Sequence, residues 1–480
     1  MFQNNKITLY IQLLIIFLFG LIFIGASTYF NEIIPANNGL GFDGKHYAEL
    51  AMNYPDNITK AIDTKYFQRS FPSLIIYSFV NFLNLSSSSQ TIILLFSLYN
   101  LLLLLLSVFI WNKICKVSNF NSSSNWLGFS ALFVSFAALK FPFFYPILTD
   151  VTGFTLSMFL VYFFKTNNKK AMLVIMVLSS VSWPSIEYMC LALLAFRYKE
   201  IIFVKKSSVL NTSIAFIISF VFVSLAGYLI YRHPIMRGGW HEHTYIVKHG
   251  IIPSLLASFV VMFFAFRSLF KKLDLFSIPV FKIFDIKFAI SGIVLFIGID
   301  LVINKLAHHY NIPSGYSIRM YLTDILIIGS RQPFCFLVGH FAYFGPLFTI
   351  CIFRWKKICD LIYQQGWSLF FILIQFVFFM MDSESRHILN YMPFITVLLI
   401  QSFDNKISKS FLAIGISLSF VFSKAWISIQ SFPTSSISDN YNINFGCYLT
   451  DTSYVLLLLL FIATCAIFYY AIKKMKISNL

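Results

Sequence analysis

Residues 41–50 read GFDGKHYAEL and set Asp43, Lys45, His46 and Glu49 within seven positions. A carboxylate here can take a proton from an acceptor hydroxyl. It could instead help to hold a divalent cation. The plain alternative is a helix cap, since Asp accepts a backbone N–H at a helix start. Gly44 lets the backbone turn tightly or approach a ligand closely. Further along, QRSFP (68–72) places Arg69 just before Pro72, a residue favoured in the first helical turn. A cation at that helix end is opposed by the dipole, so Arg69 is not there to support the helix. It can anchor at a lipid headgroup layer, or present a planar fork to a phosphate.

Three other stretches carry polar chemistry in apolar surroundings. YPILTD (145–150) ends in Asp150, and SWPSIEY (182–188) contains Glu187. Both acids can be capping groups, but an ionisable residue at membrane depth is a functional candidate by default. DSESRH (382–387) packs Asp382, Glu384, Arg386 and His387 into a tight hairpin followed by Asn390 and Pro393. A solvated loop would explain it; Arg386 and His387 could equally receive a phosphate. His241, Glu242 and His243, with His233 and His249 nearby, do not have the spacing of a helical metal-binding HExxH pair, and neither do His308 and His309. The seven cysteines are scattered without a CxxC pair, so neither a zinc site nor a disulfide framework is indicated. No glycine-rich nucleotide loop is present.

The elements that must position these residues are dictated by composition. Of 480 residues 58% are hydrophobic and 11% charged, against roughly 25% charged in a soluble domain. Mean hydropathy is +0.77. Apolar runs recur at the length of about 20 residues that crosses a bilayer. The expected fold is all-α: a polytopic transmembrane helical bundle of about 12–14 spans. Candidate spans are roughly 8–30, 90–111, 126–147, 148–165, 171–184, 185–198, 211–231, 251–267, 287–304, 334–353, 367–381, 388–403, 409–427 and 454–472. The pair 171–198 is short for two crossings and reads equally as a re-entrant hairpin. The whole chain, 1–480, reads as one membrane domain, divided into a long first outer loop (31–89) and the remaining bundle (90–472). That loop is expected to carry two short surface helices, over 46–54 and 71–83. The first apolar segment is longer than a signal-peptide core and is expected to be retained.

The formal charge of +17 does not point to nucleic acid, because the basic residues sort by membrane side. With both termini in the cytoplasm, Lys113 and Lys116, Lys165, Lys169 and Lys170, Arg354, Lys356 and Lys357, and Lys473 and Lys474 all fall inside, as positive-inside sorting requires. Most acidic residues fall outside, which suggests chemistry on the outer face.

Taken together, these residues resemble the GT-C superfamily of integral membrane glycosyltransferases, and within it the bacterial mannosyltransferase-like enzymes. The resemblance rests on Asp43-Gly44-Lys45-His46-Tyr47 after the first span, Arg69-Ser70-Phe71-Pro72, the turn Pro146-Ile147-Leu148-Thr149-Asp150, and Glu384-Ser385-Arg386-His387 before a Pro-bearing span. It covers roughly the first 200 residues and the segment near 384. It implies a polyprenyl-phosphate sugar donor, a glycan or lipid acceptor, an outer-face active site, and a bacterial inner membrane location. Asp43 takes the role of base. Lys45, His46, Tyr47, Arg69, Asp150, Glu384, Arg386 and His387 become substrate- or phosphate-binding candidates. No organic cofactor is implied, and a divalent cation is left open with no assigned ligands; no Asp-x-Asp pair stands in the first loop. Two other readings compete. A transporter or flippase would place its site near the midplane on broken helices, for which Asp300 and Lys305 are the best candidates. A polysaccharide polymerase or ligase would rely on the 305–333 loop with Arg319, Asp324 and Arg331.

Overall fold

A computed structural model describes residues 2–54, 64–199, 209–232, 251–274, 283–309, 332–428, 449 and 451–475. The histidines at 233, 241, 243 and 249 and the residues Arg319, Asp324 and Arg331 lie outside them. The described residues are helical throughout, apart from turns and one isolated antiparallel bridge between Phe196 and Phe284. Hydrocarbon offers no partner to a free N–H or C=O, so apolar runs of this kind satisfy their own backbone as helices.

The helices in chain order are α1 (Phe2–Tyr29), α2 (Asp43–Asn53), α3 (Thr64–Phe67), α4 (Phe71–Phe82), α5 (Ser89–Val117), α6 (Ser122–Phe133), α7 (Phe136–Leu139), α8 (Phe141–Phe144), α9 (Asp150–Lys165), α10 (Lys169–Ser180) and α11 (Ser185–Ala195). They continue as α12 (Val209–Arg232), α13 (Ile251–Phe270), α14 (Ile286–His309), α15 (Cys335–Phe344), α16 (Leu347–Gln365), α17 (Trp367–Phe379), α18 (Met392–Gln401), α19 (Lys409–Phe422) and α20 (Asp451–Lys474). Local signals set several boundaries. Ser88, Asn121 and Asn168 each accept a backbone N–H from three residues on, capping α5, α6 and α10. Pro72 stands in the first turn of α4.

The chain is an integral multi-pass membrane protein. Among the described residues six helices are long and apolar enough to cross a bilayer, or up to eight if each of two bent pairs is one span. By length alone that is fewer than the 12–14 expected, although each expected span is helical where it is described. The difference lies in breaks and short helices. The segment expected as one span over 126–147 bends by 70° between α6 and the α7–α8 pair, where Ser135 is extended. The segment over 334–353 bends by 117° at Gly345-Pro346, a pair that ends one helix and starts the next. α11, α17 and α19 have 11, 13 and 14 residues, too few for a perpendicular crossing at 1.5 Å per residue. Short helices are expected over 46–54 and 71–83, and α2 and α4 fall there.

The helices group into two compact units. One comprises Met1–Ala195, Ile286–Ser317 and Ser423–Phe432; the other comprises Phe196–Asp285, Ile318–Phe422 and Pro433–Leu480. In the first, a polar network ties α1, α5 and α6. Gln12 donates to Asn125 Oδ1 at 3.2 Å, Asn112 donates to Gln12 Oε1 at 2.8 Å, Asn125 donates to Asn112 Oδ1 at 3.1 Å, and Trp111 Nε1 donates to Asn125 Oδ1 at 2.8 Å. Each amide completes another, so a polar group at membrane depth becomes glue rather than a penalty. In the second unit α13 packs on α12 and α16, and Asn211 at the start of α12 donates to the carbonyls of Phe270 and Leu273.

Candidate functional site

Asp43 is the first residue of α2, with Phe42 at the capping position and no side-chain cap. Asp150 is likewise the first residue of α9, after Thr149. Both therefore stand inside the helix rather than serving as its N-cap, where their charge meets the positive end of the dipole. The Asp43 carboxylate accepts a hydrogen bond from the Tyr66 hydroxyl at 3.2 Å. The Tyr66 ring lies 4.2 Å from that of His46 and edge-on to Tyr47 at 5.6 Å. Tyr47 is buried, and its carbonyl accepts from the Ser73 hydroxyl of α4. Lys45 and His46 are half-exposed and lie 4.0 and 3.7 Å from Glu49, one turn on. α2 thus buries Tyr47 as its foot and leaves Lys45 and His46 at the surface around Asp43.

The start of α2 is held from below by Tyr145, whose hydroxyl accepts the Gly44 N–H at 3.0 Å. Gly41, at φ +77°, has room for no side chain: a Cβ there would fall 2.2 Å from the Tyr145 ring. At Gly44 a Cβ would fall 2.8 Å from the same ring and 3.2 Å from the Ile147 carbonyl oxygen. The two glycines flanking Asp43 let the backbone lie against the turn that leads, three residues later, into the buried Asp150. The sequence motifs 41–47 and 145–150 are therefore one assembled structure.

Arg69 lies in the turn after α3, with its guanidinium carbon 4.4 Å from the centre of the Trp183 ring. The Phe71 N–H donates to the Val181 carbonyl at 2.9 Å. QRSFP is thereby docked onto the SWPSIEY turn. A planar cation stacked on an indole keeps its orientation at low entropic cost.

A second docking point secures the chain before α2. Lys140, which is 2% exposed, forms an ion pair with Glu32 at 2.8 Å and donates to the carbonyls of Lys424 and Ile427. The Ile34 N–H donates to the Phe144 carbonyl at 2.9 Å. Lys424 stands over the Phe136 ring at 4.8 Å.

Glu384, Arg386 and His387 belong to the other unit, where they form a closed ionic cluster with Asp382. His387 Nδ1 lies 2.5 Å from Asp382 Oδ2 and its Nε2 lies 3.9 Å from Glu384. Arg386 Nε donates to Glu384 Oε1 at 2.5 Å. Asp382 Oδ1 also accepts the Glu384 N–H at 2.9 Å. Behind the hairpin the buried His340 bonds the Ser385 hydroxyl through Nδ1 at 2.9 Å and meets the Met380 carbonyl through Nε2 at 2.8 Å. Burial lowers the His387 pKa, but Glu384 and Asp382 outweigh it against the opposing Arg386, and the net shift is upward. With His387 protonated the four charges cancel.

The sequence reading named the carboxylate and the cations but missed what holds them: Tyr66, Tyr145, Trp183, Glu32, Lys140 and His340. Tyr145 and Trp183 stand inside motifs already singled out. Lys140 carried a readable signal as a lysine in an otherwise apolar run (LKFPFF). Among the described residues no three His, Cys, Asp or Glu side chains converge as a metal centre. No family model, curated protein or solved structure matches this chain.

Proposed function

We propose that the protein is a GT-C type glycosyltransferase that moves a sugar from a polyprenyl-phosphate donor to a lipid-linked or cell-surface glycan acceptor. The observation that carries the reading is the Tyr66–Asp43 hydrogen bond at the head of α2, which orients a carboxylate suited to act as a base.

In this reaction the acceptor hydroxyl oxygen attacks the anomeric carbon as the bond from that carbon to the phosphate oxygen breaks, with inversion. Asp43 takes the hydroxyl proton. The electron pair leaves with the polyprenyl phosphate, whose developing charge falls to Arg69, oriented by Trp183, with Lys45 and His46 as exposed companions. Tyr47 acts through packing under the helix, and Asp150 through the buried turn against Gly44. Glu384, Arg386 and His387 would bind anionic substrate only by exchanging carboxylate for phosphate contacts, because their charges are already paired. A donor that arrives through the bilayer also accounts for the lack of a nucleotide loop in the sequence. A bacterial inner membrane is the setting this reading implies, with both termini cytoplasmic and the reacting groups on the outer face.

The test is release of polyprenyl phosphate by the purified full chain from a panel of polyprenyl-phosphate sugars. Arg69→Lys retains the charge but loses the fork and the stacking, and is expected to raise KM for the donor several-fold. Wild-type protein inert toward every donor would move the weight to a transporter or flippase.

A further inference from the structure

Asn100 stands in the apolar run LYNLLLLLL (98–106) of α5 and is 1% exposed. A buried amide is costly unless its polar groups find partners. Here both N–H groups do: Nδ2 donates to the Pro142 carbonyl and to the Pro146 carbonyl, each at 2.9 Å. In a continuing helix the Pro142 carbonyl would accept from the backbone N–H four positions on. That position is Pro146, and proline has no N–H to give. The Asn100 amide supplies the donor that the chain lacks. Among the described residues its Oδ1 is buried without a hydrogen-bond partner, so the side chain acts here through its N–H groups alone.

The two carbonyls flank Tyr145. The neighbouring Tyr99 hydroxyl lies 3.1 Å from that of Thr152 in the first turn of α9, so α5 grips the turn on both sides. The Tyr145 hydroxyl in turn accepts the Gly44 N–H at 3.0 Å. Gly44 follows Asp43, whose carboxylate accepts from Tyr66 at 3.2 Å. From the Asn100 amide to Asp43, every link is a hydrogen bond or a step between adjacent residues.

We propose that Asn100 is a positioning residue for Asp43: by fixing the 142–146 turn it sets the place of Tyr145, and through Tyr145 the start of α2. The inference rests on the reading of Asp43 as the base. Asn100 itself touches no substrate. A reacting group misplaced by about 1 Å can lose about 100-fold in rate. Arg69, docked on the Trp183 turn, is held by other contacts, so donor binding does not pass through this chain of bonds.

The experiment compares purified full-length wild type, Asn100→Leu, Tyr145→Phe and the double variant in release of polyprenyl phosphate from the same donors, at equal folded yield. Asn100→Leu keeps the volume and removes both donors. Its kcat should fall about tenfold or more, while KM for the donor stays within about twofold. General loosening of the bundle would move both. The double variant should lose no more than the larger single loss, because both changes break one chain of bonds. Should Asn100→Leu not fold, Asn100→Ser takes its place, since a serine hydroxyl can return to its own helix as Ser97 does. An unchanged kcat in a folded variant, or losses that multiply in the double variant, overturns the proposal. Wild type that transfers no sugar would sink the enzymatic reading by itself. Amide hydrogen exchange over residues 41–50 then decides: faster exchange at Gly44 in the Asn100 variant supports the positioning role, and unchanged exchange overturns it.

Discussion

The Tyr66 hydroxyl reaches the Asp43 carboxylate at 3.2 Å across 23 positions of sequence. A hydrogen bond to a charged group contributes about 1.5–3 kcal/mol. Tyr66→Phe removes the donor and keeps the ring against His46 and Tyr47. Its turnover should fall roughly tenfold or more with the melting temperature little changed. An unaltered turnover would show that Asp43 needs no such orientation.

Gly41 tests whether the approach of the chain to Tyr145 matters. Its positive φ and the 2.2 Å clash awaiting a Cβ both oppose a side chain. Gly41→Ala should cost about 1–3 kcal/mol from backbone strain, with overpacking added, read as a lower melting temperature. Tyr145→Leu should relieve only the clash, so the double variant should recover part of that loss.

The Lys140–Glu32 pair should behave as a buried ion pair. Breaking one from one side typically costs about 3–5 kcal/mol, because a charge is left stranded. Glu32 retains some exposure, so Glu32→Gln should fall at the low end of that range. Replacing both residues, as Lys140→Met with Glu32→Leu, should be milder than either single change, a non-additivity that a double-mutant cycle of unfolding measures directly.

The upward shift of His387 gives stability a pH dependence of known sign. A histidine whose folded pKa exceeds its unfolded value, about 6.5, contributes fully below that value. The contribution is lost as pH rises through the folded pKa. Melting temperature should therefore decline on the alkaline side of about 6.5. Asp382→Asn should flatten that decline, since it removes a carboxylate that helps raise His387. A slope unchanged in Asp382→Asn would assign the dependence to another group.

The helices were legible because hydrocarbon leaves the backbone little choice. The runs at 8–30, 90–111 and 454–472 and the short helices at 46–54 and 71–83 all follow from hydropathy and length. What hydropathy does not encode is where a helix breaks. The bend before Phe136 depends on an extended Ser135 inside an unbroken apolar run, so the segment 126–147 reads as one straight span in the sequence and is a bent pair in the structure. The site was legible to the extent that its chemistry is local in sequence. Asp43 and the DSESRH cluster announce themselves by charge density. Lys140 and Glu32 lie 108 positions apart, and neither residue type predicts the other. Trp183 reads as an interfacial aromatic until Arg69 is seen stacked on it.

The most direct test of the account is sugar transfer by purified wild-type protein and by Asp43→Asn, compared at equal folded yield with the same polyprenyl-phosphate donors. The amide keeps the shape of the carboxylate and can still accept from Tyr66, but it cannot take the proton. The account predicts transfer by wild type and a loss of about 100-fold or more in the variant, the usual scale of a general base. Equal transfer by both proteins would contradict it and leave Asp43 as a charge that merely steadies the start of α2.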